Sequence, residues 1–204
     1  MTTTLYLMRH GEVHNPAHTL YGRMPGFFLS KAGEAQAHAA GAWLADKALT
    51  AIYASPMERA RQTAGIVASY LPGLSPTTDE RIIEVSTPYE GHPIDELAAM
   101  GWDLYTGNQP PHETPGIVLD RVLDFFDYVV ERHSGQSIAA VAHGDILVFA
   151  WLHAQGVEPD ALMKDRLQVY ALPVDYPATA SIMTFELQDS PRQTMPRVSY
   201  HCPY

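Results

Sequence analysis

The sequence of 204 residues has a single cysteine, no long apolar run and few positive charges. Because Cys202 is alone, a disulfide within the chain is excluded, and its position near the end suits a reducing compartment. No apolar stretch is long enough to cross a bilayer. Residues 1–4 carry no basic segment followed by an apolar one, as a signal peptide would. We therefore expect a cytoplasmic protein with no membrane partner.

Positive charge is scarce, with 13 Lys and Arg against 23 Asp and Glu, which gives a net charge of −10. Nucleic acid and anionic membranes would be repelled, so neither is an expected partner. A phosphate site in such a chain requires its few arginines to converge. The scarcity is most complete between Ile82 and Asp120, where the sequence has no Lys or Arg.

The pattern of apolar residues predicts an α/β fold. Short apolar strands alternate with helices, which indicates a three-layer α/β/α sandwich with a mostly parallel central sheet. Strands are predicted at 5–8, 51–54, 79–85, 137–142 and 181–187, and helices at 31–47, 94–100, 117–133 and 145–155. Another helix is expected to be capped by Ser55, with Pro56 first, Glu58 closing a capping box, and an end near 71–73.

The length and the lack of a linker favour one domain that covers residues 1–204. Residues 85–115, dense in Pro, Gly and aromatics, are expected to form a loop-rich substrate cap. Residues 189–204 are expected to be a tail that is either loosely packed or draped over the body.

Two predicted strands end in a His-Gly pair. Parallel strands bring their carboxyl ends to one edge of a sheet, where open α/β proteins bind ligands. The helix after Ser55 is expected to begin at the same edge, and a helix N-terminus favours an anion. We expect four side chains to meet in one pocket there: Arg9, His10, Arg59 and His143.

Five motifs follow one another along the chain. They are Arg9-His10-Gly11-Glu12, Leu29-Ser30-x-x-Gly33-x-x-Gln36-Ala37, Ser55-Pro56-x-x-Arg59-Ala60-x-Gln62-Thr63-Ala64, Glu84 with Tyr89-Glu90-Gly91, and Val141-x-His143-Gly144. An Arg-His-Gly triplet alone carries little information, but the ordered set is specific. The chain resembles the histidine phosphatase superfamily, which includes cofactor-dependent phosphoglycerate mutases and many small phosphatases.

The resemblance implies a role for each matching residue. His10 would attack phosphorus and become a phosphohistidine, while Arg9, Arg59 and His143 would hold the phosphoryl oxygens. Glu84 would donate a proton to the leaving oxygen and then assist water. These roles agree with elementary chemistry, because a covalent intermediate divides a very slow reaction into two easier steps. The planar fork of arginine also suits phosphoryl oxygens.

Further residues are expected to bind substrate around this centre. The segment 12–28 is a predicted loop at the mouth of the pocket, and Gly144 follows the second histidine. The predicted binders are Asn15, Tyr21, Gly22, Arg23 and Gly144. The interval after Glu84 is about one residue shorter than the family pattern, so Glu90 remains a second candidate for the proton donor.

A metal site is not predicted. His10, His14 and His18 have the spacing of ligands on a helix, but Gly11 and Pro16 interrupt any helix there. No cofactor is expected.

The uncharged segment between Ile82 and Asp120 separates the alternative functions. A mutase needs further cations for its anionic substrate, and this segment offers neutral side chains instead: Tyr89, His92, Trp102, Tyr105 and His112. We therefore expect a metal-independent phosphomonoesterase acting on a small phosphate ester with an apolar or aromatic part. The alternatives are a 2,3-bisphosphoglycerate-dependent phosphoglycerate mutase and a non-catalytic protein that binds a phosphorylated ligand. The substrate itself and the oligomeric state are not predicted.

Overall fold

The computed structural model describes the backbone of residues 1–204 and the side chains of all residues except 163–166. The strands are β1 Thr3–Arg9, β2 Leu49–Ala54, β3 Thr77–Thr78, β4 Ser137–Ala142, β5 Ile182–Leu187 and β6 Arg197–His201. The α-helices are α1 Lys31–Leu44, α2 Glu58–Ala68, α3 Ile94–Ala99, α4 Pro115–Arg132 and α5 Gly144–Ala154, with 3-10 helices at Glu80–Ile82 and Met163–Tyr170. Among the described residues, no helix has the length and apolar character needed to span a membrane.

The six strands form one sheet in the order β3-β2-β4-β1-β5-β6. The pairs within β1 to β4 are parallel, and β5 is antiparallel to both of its neighbours. The predicted mostly parallel sheet is therefore confirmed. Arg9 pairs with Ala142, so β1 and β4 end side by side and the residues that follow them emerge together.

Successive strand residues point to opposite sides of the sheet, so both faces carry apolar side chains. Helices cover both of these faces. On one face Met8, Ile52 and Val141 pack among buried residues of α1 and α2. On the other face Leu7 and Ile138 pack among buried residues of α4 and α5. The three-layer α/β/α prediction is confirmed.

The tail differs from its prediction. Residues 197–201 form β6, which pairs with β5 from Ile182 to Glu186, and the His201 ring stacks on Trp43 with centroids 4.5 Å apart. Without β6, β5 would be an edge strand with unpaired backbone groups. Residues 197–201 are therefore neither loosely packed nor draped over the body, because their backbone groups pair with β5 as part of the sheet.

The start of α2 also differs from its prediction. The helix begins at Glu58, its N-cap is Met57, and no side chain caps it. The Ser55 hydroxyl lies instead 2.7 Å from Nε2 of His143. The capping-box prediction is wrong because the helix begins three residues after Ser55, whose hydroxyl accepts from the Met57 N–H at 3.3 Å, before the first helical residue.

The segment at 79–85 is not a strand. Asp79 caps the 3-10 helix Glu80–Ile82 by accepting a hydrogen bond from the Arg81 backbone N–H, and the extended pairing is limited to Thr77–Thr78. α2 ends at Ala68, about one turn earlier than expected. These differences leave the edge of the sheet that carries the site unchanged.

Two glycines let α1 pack directly on the turn that follows β1. A Cβ on Gly33 would lie 2.0 Å from the carbonyl oxygen of Glu12, and a Cβ on Gly11 would lie 2.5 Å from the carbonyl oxygen of Gly33. Both obstacles are backbone atoms, which cannot move aside as a flexible side chain can. The contact therefore requires glycine at both positions and fixes the residue before them, His10.

We expect Gly33→Ala to lower the free energy of unfolding by about 1–3 kcal/mol, because the added methyl group overpacks this contact. Gly65→Ala is the matched control, since Gly65 lies inside α2 and a Cβ there meets nothing within 4 Å. It should raise stability by about 0.5–1 kcal/mol through helix propensity. Urea denaturation measures both. An equal change in the two variants would contradict the close contact.

Candidate active site

A cavity of about 500 Å³ opens at the carboxyl edge of the sheet. Its lining comes from the ends of β1 and β4, the loop after β1, and the segments around 84–104 and 175–176. The residues that line it are Arg9, His10, Thr19, Leu20, Tyr21, Gly22, Glu84, Val85, Thr87, Ile94, Trp102, Leu104, Gly144, Asp145, Asp175 and Tyr176. Of the four side chains expected to meet here, Arg9 and His10 line the cavity, and Arg59 and His143 lie beside His10 without lining it.

His10 presents an unprotonated nitrogen to this cavity. Its Nδ1 lies 2.8 Å from the carbonyl oxygen of Gly11, to which it donates, so Nε2 carries the lone pair. The Arg59 Nε donates to that Nε2 at 3.2 Å. Burial, reinforced by the charges of Arg59 and Arg9, holds the pKa of His10 well below its ordinary value. The imidazole is thus neutral at physiological pH, as a nucleophile must be.

Arg59 is the second residue of α2 and is almost fully buried. Its Nη2 donates to the carbonyl of Gly22 at 2.8 Å and to Glu84 Oε2 at 3.2 Å. Its guanidinium carbon also lies 4.7 Å from the ring centroid of Tyr21. The cation is therefore held from several sides and stands next to His10.

Arg9 is the second cation and it retains an unused donor. Its Nη1 donates to the carbonyl of Pro177 at 2.6 Å, and its guanidinium lies 5.1 Å from the Tyr176 ring centroid. The buried Nε has no hydrogen-bond partner among the described residues. Because an unsatisfied buried donor costs about 1–3 kcal/mol, an anionic oxygen that reached it would be stabilised.

Glu84 and His143 form a buried pair behind the nucleophile. Glu84 Oε2 lies 3.2 Å from His143 Nδ1, and Oε1 accepts from the Val85 N–H at 2.9 Å. Burial and the charge of Arg59 together lower the pKa of His143 to about 4, against the opposing effect of Glu84. A neutral His143 can donate its Nδ1–H to Glu84 and accept the Ser55 O–H at Nε2. The Arg59 Nη2 also lies 3.2 Å from this Nδ1, and in that tautomer it donates to Gly22 and Glu84 instead.

Glu84 itself is a carboxylate. Burial alone would raise its pKa, but the hydrogen bond from His143 and the charge of Arg59 outweigh burial and hold the pKa well below its ordinary value. Glu84 therefore stands ready as a base and needs a nearby negative charge before it can act as an acid.

The site also contains the atoms of a possible metal cluster. Among the described residues, His10, Glu84 and His143 offer ligand atoms within 4.8 Å of one another. Arg59 donates to two members of this group, so a fixed cation already stands among those atoms. At such distances it would repel a divalent ion. The arrangement suits an anion better than a metal.

The predicted binders divide into two groups. Tyr21, Gly22 and Gly144 line the cavity. The Asn15 amide donates to the Thr19 carbonyl at 2.8 Å and accepts from its N–H at 3.3 Å, so it closes its own loop.

Arg23 lies behind Glu84, where its Nε donates to the Glu84 carbonyl at 2.7 Å and its Nη2 to Glu113 at 2.8 Å. Glu90, the second candidate acid, accepts from the Arg23 N–H at 2.5 Å and does not line the cavity. The binding roles of Asn15 and Arg23 remain predictions.

Sequence reasoning missed a carboxylate that joins two walls of the cavity. Tyr176 donates to Asp145 Oδ1 at 2.6 Å, and Tyr105 donates to Asp145 Oδ2. Burial and the charge of Asp145 raise the pKa of both tyrosines well above the ordinary value, so both remain donors. A Cβ on Gly144 would lie 2.2 Å from the Tyr176 hydroxyl. Asp145 follows the His-Gly pair directly, which was an available signal, whereas nothing in the sequence marked Tyr176.

The wall opposite the nucleophile is neutral but not as aromatic as predicted. Of the predicted neutral side chains only Trp102 lines it, together with the aliphatic residues Leu20, Val85, Ile94 and Leu104. Arg9 is the one cationic side chain among the described residues that line the cavity. The charge for a phosphoryl group is thus concentrated at one end.

The family model of the histidine phosphatase superfamily (branch 1) matches residues 5–175. The chain belongs to this superfamily and is a phosphoryl-transfer enzyme.

The chain is similar to several known proteins. The uncharacterized protein Rv0525 of Mycobacterium tuberculosis is 35% identical over 148 residues, which cover 69% of this chain and 73% of that protein. Fructose-2,6-bisphosphatase TIGAR B of Danio rerio is 32% identical over 182 residues, covering 80% and 70%. The solved structure of Bacillus stearothermophilus YhfR has a TM-score of 0.76 at 25% identity and covers 98% of this chain and 95% of that one.

The buried neutral histidines predict a loss of stability on acidification. Below about pH 6.5 the unfolded chain takes up protons that the folded His143 does not bind until about pH 4, so the free energy of unfolding falls across this window. For His143 alone the loss is about 3 kcal/mol at 1.4 kcal/mol per pKa unit. His143→Gln should flatten the dependence of stability on pH, whereas the exposed control His14→Gln should not. The free energy of unfolding is measured by urea denaturation at pH 7 and at pH 4.5. An equal change between the two pH values in wild type, His143→Gln and His14→Gln would contradict the assignment.

Proposed function

We propose that the chain is a phosphomonoesterase that works without a metal through a phosphohistidine on His10. The observation that carries the proposal is the unprotonated Nε2 of His10, a residue that lines the cavity; this nitrogen lies 3.2 Å from the Arg59 Nε. A nucleophile and a fixed cation are thus in contact where a phosphoryl group would be attacked. The TIGAR relative, a fructose-2,6-bisphosphatase by name, supports a phosphatase.

The first step transfers the phosphoryl group to His10. The phosphoryl oxygens take the donors of Arg59 and the free Nε of Arg9, and Nε2 of His10 attacks phosphorus as the ester P–O bond breaks. The negative charge of the bound group raises the pKa of Glu84, so Glu84 takes up a proton. It gives this proton to the leaving oxygen, and the alcohol departs.

The second step releases phosphate. Glu84 is a carboxylate again and removes a proton from a water molecule that attacks phosphorus, while the P–N bond to His10 breaks. Arg9, Arg59 and His143 stabilise the charge spread over the phosphoryl oxygens in both transition states. Inorganic phosphate and neutral His10 result, and no metal takes part.

We expect His10→Ala to lower turnover of 4-nitrophenyl phosphate by at least about 10³-fold, because the covalent route is removed. Wild-type protein quenched with detergent during turnover should carry an alkali-stable, acid-labile phosphoryl group that His10→Ala lacks. His14→Ala, an exposed residue of the same loop, is the control. Undiminished turnover by His10→Ala would overturn the proposal, and loss of wild-type turnover on treatment with EDTA would overturn its metal-free part.

The cavity also supports a class of substrate. Away from Arg9 the described lining is aliphatic and aromatic, with carboxylates at Asp145 and Asp175. A second phosphate or a carboxylate on the leaving group would meet no described cation there and would lie near negative charge. We infer a small monoester whose leaving group is apolar and uncharged. The mutase alternative is disfavoured on the same ground, since its substrate is an anionic acid.

Adding a cation to the wall should change this preference. We expect wild-type kcat/KM to favour benzyl phosphate over 3-phosphoglycerate, and Ile94→Lys to raise the value for 3-phosphoglycerate about 10-fold through a new charge pair. Ile117→Lys adds the same charge on an exposed site of α4 and should change neither rate. A wild-type preference for 3-phosphoglycerate would contradict the inferred substrate class, and its 2,3-bisphosphoglycerate-dependent isomerisation would establish the mutase.

A further inference from the structure

The backbone carbonyl of Glu84 accepts hydrogen bonds from two arginines that lie in different parts of the chain. Its carbonyl oxygen accepts from Arg23 Nε at 2.7 Å and from Arg121 Nη2 at 3.4 Å. Arg23 belongs to the loop after β1, and Arg121 belongs to α4. Neither guanidinium reaches the cavity through its own atoms. Both therefore act on the peptide that carries the proposed proton donor.

A single buried carboxylate, Glu113, joins these two arginines. Its Oε1 accepts from Arg121 Nε at 2.7 Å, and its Oε2 accepts from Arg23 Nη2 at 2.8 Å. The same Oε2 accepts from the Ser86 backbone N–H at 2.7 Å, and the Glu113 N–H donates to the Ser86 carbonyl at 3.0 Å. Charge-assisted bonds of this kind are shorter and stronger than neutral ones. Glu113 thus holds the chain on both sides of residue 85.

We propose that Glu113 is a positioning residue that fixes the carboxyl group of Glu84 for proton donation to the leaving oxygen. The inference rests on the proposed function of Glu84. The Glu84 carbonyl and the Ser86 N–H are both tied to one charged network, so the peptide between them has a defined orientation. That orientation places the Val85 N–H on Glu84 Oε1 and leaves Oε2 facing Arg59 and His143.

The leaving group separates this role from a merely structural one. Nitrophenolate departs from phosphorus without a proton, whereas a benzyl alkoxide is far more basic and needs one. If Glu113 acts by positioning Glu84, replacing Glu113 slows the hydrolysis of benzyl phosphate much more than the hydrolysis of 4-nitrophenyl phosphate. If Glu113 only stabilises the fold, both esters lose activity in the same proportion.

The experiment compares kcat/KM for benzyl phosphate and 4-nitrophenyl phosphate in wild type and Glu113→Gln. We expect a loss of about 10- to 100-fold on the benzyl ester, as for a general acid displaced by a fraction of an ångström, and less than about 3-fold on the nitrophenyl ester. Asp127→Asn is the matched control. Asp127 is also a carboxylate of the α4 region that accepts from an arginine, Arg192 Nε at 3.3 Å, but it does not line the cavity. It should leave the ratio of the two rates unchanged.

A double-mutant cycle tests whether Glu113 works through Glu84. In a Glu84→Gln background, Glu113→Gln should cause no further loss on benzyl phosphate, because the acid to be placed is gone. Should Glu113→Gln fail to fold by circular dichroism, Arg121→Lys keeps the charge but loses the fork and should give the same preference for the nitrophenyl ester.

Equal losses on both esters, no loss on either, or independent losses in the cycle would overturn the inference while leaving the proposed function intact. If wild type cleaves neither ester, the proposed function fails and the role of Glu113 fails with it.

Discussion

The buried guanidinium of Arg59 is the constraint on which the site depends. A charge taken out of water is tolerated only where hydrogen bonds and opposite charge compensate it. Here the compensation comes from three separate places. They are the end of β1 through His10, the loop after β1 through Gly22, and the segment after the 3-10 helix Glu80–Ile82 through Glu84. Bringing those places together requires β1 and β4 to end in register and α1 to press on the turn after β1. The burial of the Arg59 guanidinium thus depends on both the order of the strands and the close contact between Gly11 and Gly33.

Much of this arrangement could be predicted because its signals are local. A short apolar strand that ends in His-Gly indicates a parallel sheet and a ligand edge within a few residues, and two such strands indicate a shared edge. The fold class, the order of the elements and the convergence of His10, Arg59 and His143 follow from that. Local signals fail where a side chain has two competing partners. Ser55 has the right neighbours for a helix cap, yet a histidine 88 residues away takes its hydroxyl.

The features that the sequence did not reveal depend on distant partners. Glu113 lies in no motif, and its partners Arg23 and Arg121 are 90 and 8 residues away. The strand pairing of residues 197–201 depends on an exposed edge that exists only after β5 has joined the sheet. Neither can be deduced from periodicity, because both result from what the rest of the chain leaves unsatisfied.

The bridge from Asp145 to Tyr105 and Tyr176 divides the site into two parts with different freedom to change. The phosphate end stands on strand termini and helix starts, whereas the wall consists largely of connecting segments, two of which are joined to α5 through Asp145. Loops of this kind accept insertions and replacements far more readily than the elements that they connect. A wall segment can therefore be replaced by one of different sequence, provided that Tyr105 or Tyr176, whichever joins that segment to Asp145, is kept. Substrate range in such a protein is free to diverge while the reacting centre stays the same.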